Sequence, residues 1–172
     1  GQSNIVAGSN HFITGTQNKI TASTFNSAVF GAYNTINTMY SAIFGYNNKD
    51  RHPIVAGTMP NPDGGNVIGG FNNYVDNGMS MGMFGSGHIQ TGNNLLVAGQ
   101  ASINLNGQVV SVNNPNDARF IVGNGTIASQ TYVRGTPSNA FVVYHSGLVV
   151  APTLTSALID TQARSLVTRE YL

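Results

Sequence analysis

Ser27-Ala-Val-Phe-Gly-Ala-Tyr-Asn-Thr-Ile-Asn-Thr-Met-Tyr-Ser-Ala-Ile-Phe-Gly45 carries one device twice, Ser-Ala-aliphatic-Phe-Gly, with the copies fourteen residues apart. Moving outward, the glycines continue the pattern. Gly15, Gly31, Gly45, Gly57, Gly70, Gly85 and Gly99 follow at steps of 16, 14, 12, 13, 15 and 14, a mean of 14, and Gly1, Gly8 and Gly15 lie seven apart. Two residues before the glycines stand Val29, Ile43, Val55, Ile68, Met83 and Val97, an expected interior row. Three residues after come Asn4, Asn18, Asn34, Asn48 and Asn73, with His11 and His88 in the same slot. Five residues after, Val6, Ile13, Ile20, Ile36 and Val75 form a second apolar row. Recurrence at a fixed period is the mark of stacked coils.

Apolar residues near the glycines alternate with period two, and Gly and Asn recur too often for helices, so each coil is expected to hold two short strands. The repeat glycines are expected at corners with φ > 0, which a residue bearing a Cβ adopts only at a cost. A coil of about fourteen residues turns only three or four side chains inward. That is too little buried surface to offset the entropy of ordering the chain. Three coils packed about a common axis would bury a further face, with Phe30, Phe44 and Phe84 as its candidates, and a homotrimer is therefore expected.

Composition narrows the function. Charged residues make up 8% of the 172 residues, against roughly 25% in ordinary globular proteins, and polarity comes instead from amides, hydroxyls and 21 glycines. The formal net charge is +1 without a Lys/Arg cluster, so nucleic acid is not an expected partner. Apolar runs such as Ala140 to Tyr144 are far below the roughly 20 residues that span a bilayer, and membrane insertion is not expected. The chain reads as a soluble excerpt. It has no cysteine, which excludes disulfides and Cys-based zinc sites but leaves the compartment open.

After residue 100 the repeat gives way to alternating segments, Gly107 to Val112, Ala118 to Val122, Ala140 to Tyr144 and Leu148 to Val150, separated by Asn-Pro-Asn, Gly-Asn-Gly and Ser-Gly turns, which read as hairpin strands. From Ser156, the spacing of Ala157, Leu158, Ala163, Leu166 and Val167 predicts a short helix meeting its copies at the trimer axis.

Two resemblances refine this reading. The Ser27 to Gly45 stretch resembles the head repeats of trimeric autotransporter adhesins, over roughly residues 1 to 100, which implies parallel coils in a β-roll and threefold symmetry. Arg119-Phe-Ile-Val-Gly-Asn-Gly-Thr126, Ser138-Asn-Ala-Phe-Val-Val-Tyr144, Gly147-Leu-Val-Val-Ala-Pro-Thr-Leu-Thr155 and Ser165-Leu-Val-Thr-Arg-Glu-Tyr-Leu172 are similar to a module of bacteriophage tail fibres and tailspikes. The second resemblance implies a virion tail location outside the cell, other tail proteins as partners, and a role in host attachment.

Chemical signals are few. Asp50, Asp63 and Asp76 lie thirteen apart, which in a solenoid would stack carboxylates at about the separation retaining glycosidases use. Asn61-Pro-Asp-Gly-Gly and Asp76-Asn-Gly are, however, turn sequences, so Asp63 and Asp76 are read as turn residues and no catalytic residue is expected. The histidines, His11, His52, His88 and His145, lack metal-ligand spacing; His11 and His88 are expected to hydrogen-bond turns, and no metal or cofactor is expected. Asn124-Gly-Thr126 matches a glycosylation acceptor but coincides with a turn. Tyr33, Tyr40, Tyr46 and Tyr74 fall in the variable polar stretches, where an outward phenol can stack on a sugar ring, the plainer reading being packing between coils. Arg51 and His52 belong to the local charge cluster Lys49-Asp-Arg-His, read as a surface loop suited to recognition.

The expectation is therefore an all-β protein: a β-solenoid or β-roll of about fourteen residues per turn over 1–100, in a homotrimer. A β-rich hairpin module over 101–155 and a short helix over 156–172 follow it. Its expected function is that of a non-enzymatic structural and host-receptor-binding segment of a phage tail fibre or tailspike. It would contact a cell-surface glycan or polysaccharide through Tyr33, Tyr40, Tyr46, Arg51, His52 and Tyr74. An adhesin head and a polysaccharide-depolymerising tailspike are the alternatives. An ice-binding solenoid lacks its regular Thr-x-Thr ladder.

Overall fold

The computed structural model describes residues 1–21, 24–51, 64–104, 114–127 and 135–153. In chain order the strands are β1 (Ile5–Val6), β2 (Phe12–Thr16), β3 (Lys19–Ile20), β4 (Ala28–Ala32), β5 (Thr35–Asn37), β6 (Ala42–Tyr46), β7 (Lys49–Arg51) and β8 (Val67–Phe71). They continue with β9 (Tyr74–Met79), β10 (Gly82–Ser86), β11 (Ile89–Asn93), β12 (Leu96–Gln100), β13 (Ala118–Asn124), β14 (Asn139–Tyr144) and β15 (Val149–Val150). Odd strands β1 to β11 make one six-stranded sheet; even strands β2 to β12, then β13, β14 and β15, make a nine-stranded sheet. The chain is thus all-β, winding as a β-solenoid of about five turns, and the described residues contain no helix. The expected helix over 156–172 and the strand over Gly107 to Val112 lie outside the described residues.

Both interior rows form. Val29, Ile43, Ile68, Met83 and Val97 pair in register and are fully buried, and the row runs on through Ile121 to Val142. The facing row holds Ile20, Ile36 and Val75, but with Asp50 between Ile36 and Val75 and Gln90 after Val75. Ile13 belongs to the first row, opposite Val29, and Val6 is exposed at the end of the stack.

The glycines serve close approach as much as turning. Gly31 and Gly45 sit within strands at φ 121° and 122°, and a Cβ on Gly31 would lie 1.9 Å from the Gly45 carbonyl oxygen of the next coil. The corner itself is two residues on, where Gln17, Tyr33, Asn47 and Asn72 adopt left-handed φ of 52° to 59°. A matching left-handed corner recurs on the other side of each coil at Asn10, Asn26, Tyr40, Gly65, Ser80 and Asn94.

These corners resolve the uneven spacing. From each residue of the second set to the next corner of the first, Asn10 to Gln17, Asn26 to Tyr33, Tyr40 to Asn47, Gly65 to Asn72, Ser80 to Gly87 and Asn94 to Ala101, the step is always seven. The return steps vary: Gln17 to Asn26 is nine, Asn47 to Gly65 eighteen and Asn72 to Ser80 eight. Among the described corners, extra residues therefore enter only through the half-coil that carries the six-stranded sheet. Gly45 pairs directly with Gly70, so Gly57 does not mark a coil of its own, contrary to its expected place in the series of repeat glycines; Val55, Gly57 and Asp63 lie outside the described residues.

The nine-stranded sheet crosses position 101 without interruption. Strand β13 pairs parallel to β12, with Gly123 opposite Gly99, and β14 and β15 then turn back antiparallel. The hairpin strands thereby extend the sheet at the C-terminal end of the stack.

Candidate functional site

Along the first corner a polar ladder replaces apolar packing. Asn18, Asn34, Asn48 and Asn73 are buried, and each side-chain amide donates to a glycine carbonyl one coil on, at Gly31, Gly45, Gly70 and Gly85, over 2.8 to 2.9 Å. Each Oδ1 accepts the backbone N–H of the next ladder residue. His88 substitutes atom for atom: Nδ1 accepts from the Ser102 N–H and Nε2–H donates to the Gly99 carbonyl at 3.0 Å. His11 does the corresponding work at the second corner, where its Nδ1 accepts from the Ser27 N–H. Both histidines thus bond turns, as expected, and among the described residues no cluster of three or more His, Asp or Glu could hold a metal ion.

Asp50 lies inside. It is fully buried between Ile36 and Val75, accepting from Thr38 Oγ1 at 2.6 Å and Asn66 Nδ2 at 3.0 Å. Asp76 lies on the opposite face of the same sheet, in β9 rather than in a turn, opposite Arg51. The turn reading of Asp76 fails because the left-handed residue is its neighbour, Asn77, at an irregularity of the ladder. The two carboxylates do not stack, so the paired arrangement that glycosidases use is not formed by Asp50 and Asp76.

The two outer faces differ in chemistry. On the nine-stranded sheet, one column reads Phe12, Ala28, Ala42, Val67, Gly82, Leu96 and Phe120, and the next reads Thr14, Phe30, Phe44, Gly69, Phe84, Ala98 and Val122. Thr14 is the sole polar side chain among them. Phe12, Phe44, Phe84 and Leu96 keep 60%, 44%, 45% and 44% of their surface exposed. Phe30 stacks on Phe44 with centroids 5.0 Å apart, and Phe12 meets Phe30 at 5.2 Å. At ~4.8 Å per strand the apolar stripe is roughly 30 Å long. Patches of this extent on a soluble chain mark contact surfaces.

The six candidate recognition residues fall in separate places. Tyr33 and Tyr46 join Phe71 in a ladder beside the apolar stripe, with centroids 5.1 and 5.0 Å apart; Tyr46 stacks on Phe71, Tyr33 meets Tyr46 at a tilt of 55°, and both phenols remain exposed. Tyr40 occupies the opposite corner, and Arg51 and Tyr74 neighbour each other on the six-stranded sheet, the guanidinium donating to the phenol oxygen at 3.4 Å. That bond, with Tyr74 and Asp76 nearby, raises the Arg51 pKa above its ordinary value, so it stays charged. His52 lies outside the described residues. A shallow depression on the hairpin, lined by Asn116, Tyr144, Ser146, Leu148 and Val150, contains no carboxylate or imidazole. Compared with models of protein families, with curated proteins and with solved structures, the chain matches none.

Proposed function

We propose that the chain is a non-enzymatic structural and receptor-binding segment of a homotrimeric phage tail fibre or tailspike. The nine-stranded face turns to the threefold axis, and the six-stranded half-coil turns outward to host-surface glycans. One observation carries the reading: the half-coil with the apolar face is always seven residues, while every insertion enters through the polar half. A surface packed against copies of itself tolerates no change of length, whereas a surface free to present loops does, and recognition resides on such loops. The thin interior supports the same view, since the coil from Gly31 to Gly45 buries only three apolar side chains, Ile36, Met39 and Ile43, beside the polar Asn34, Thr38 and Ser41. Other tail proteins would join the fibre at its ends, by the resemblance of the C-terminal third.

The test is binding of the purified protein to arrayed bacterial polysaccharides. Alanine changes at Tyr40, Arg51, His52 and Tyr74 are expected to reduce binding of at least one glycan without lowering the melting temperature. Absence of all glycan binding would reduce the segment to a shaft, and release of reducing ends would favour a depolymerase.

A further inference from the structure

The outward face of the six-stranded sheet is also ordered in columns. One reads Ile5, Lys19, Thr35, Lys49, Tyr74 and Ile89 across the six strands, the isoleucines closing its two ends, and beside its middle stand Asn37, Arg51 and Asp76. Lys19, Lys49 and Arg51 are exposed, whereas Ile20, Ile36 and Asp50 between the columns are buried. Of the seven Lys and Arg in the chain, four lie in described residues, Lys19, Lys49, Arg51 and Arg119, and three of those four share this face. Its one carboxylate among the described residues, Asp76, lies opposite Arg51, which leaves the two lysines as the excess charge. In a chain with so few charges, this is a strong local bias.

Resting on the glycan-contacting reading above, we infer that this face binds an acidic polysaccharide whose carboxylates recur on every second sugar. Lys19 and Lys49 are two strands apart, ~10 Å, which is about the length of a disaccharide. Thr35, midway between them, and Asn37 beside it offer a hydroxyl and an amide to the intervening sugar, and Thr21 fixes Asn37 by donating to its Oδ1 at 2.7 Å. The column direction suits a polymer running along the solenoid axis. A polyphosphate is the poorer fit: nucleic-acid sites neutralise several closely spaced phosphates, and three cations, one opposite an aspartate, cannot.

The probe is hyaluronate, with dextran and double-stranded DNA as comparisons, measured against the intact chain and the double variant Lys19→Gln/Lys49→Gln. Hyaluronate binding by the native protein is expected, released by salt because the contacts are exposed charges. The double variant should bind at least tenfold more weakly, with unchanged mass, melting temperature and dextran response. The inference is overturned if native protein ignores hyaluronate, if the variant binds it equally, or if DNA binds more tightly. Neutral polysaccharide bound without hyaluronate would sink this inference alone; failure to bind any polysaccharide would sink the reading on which it rests.

Discussion

His88 stands where the other coils place Asn18, Asn34, Asn48 and Asn73, and its ring offers one acceptor and one donor at nearly the spacing of an amide. His88→Asn is accordingly expected to change stability by less than about 1 kcal/mol. His88→Leu would remove the imidazole that bonds the Ser102 N–H and the Gly99 carbonyl, at a cost on the order of 3 kcal/mol, read from denaturant midpoints. The glycines give a second contrast. Gly45→Ala places a methyl 2.0 Å from the Gly70 carbonyl oxygen and should cost more than about 4 kcal/mol, whereas Gly65, at φ 72° with no atom within 4 Å, should lose only the left-handed penalty of about 1–2 kcal/mol on changing to Ala. The ladder slot was legible in the sequence because it is a chemical requirement repeated at fixed spacing. Asp50 was not, because Lys49-Asp-Arg-His reads locally as a charged surface loop. Only pairing with Ile36 and with Val75, across an inserted segment, places its side chain inside.

Each coil consists of two half-coils built alike. The second corner repeats the first, with Asn66 Nδ2 donating to the Gly78 carbonyl at 2.9 Å and the Met81 N–H donating to Asn66 Oδ1 at 3.0 Å. The seven-residue spacing of Gly1, Gly8 and Gly15 held this information, yet insertions in one half hid it further along and made Gly57 look like a repeat glycine. Insertion tolerance should follow the halves. Two residues added between Asn37 and Thr38 reproduce what the chain already does between Thr21 and Thr24, and should lower the melting temperature by only a few degrees. The same two residues added between Ile43 and Phe44 move Gly45 out of register with Gly31 and Gly70, putting a Cβ where none fits, and the protein should fail to give a cooperative melt.

For the whole molecule, the apolar columns of the nine-stranded sheet form a stripe that water contacts in the single chain, and Phe30, Phe44 and Phe84 within it were already marked by their place before the repeat glycines. The solenoid itself was legible because its period is local. The apolar stripe was legible only in part, since Phe12, Val67 and Leu96 join that face through strand pairing across coils. In the proposed trimer, burial of the stripe against two copies would couple folding to association, so dilution should lower the melting temperature. The most direct test is the solution mass by light scattering of the chain and of Phe44→Glu/Phe84→Glu at micromolar concentration. The account predicts three times the chain mass for the native protein and loss of that species in the variant. A cooperatively folded native monomer would contradict it.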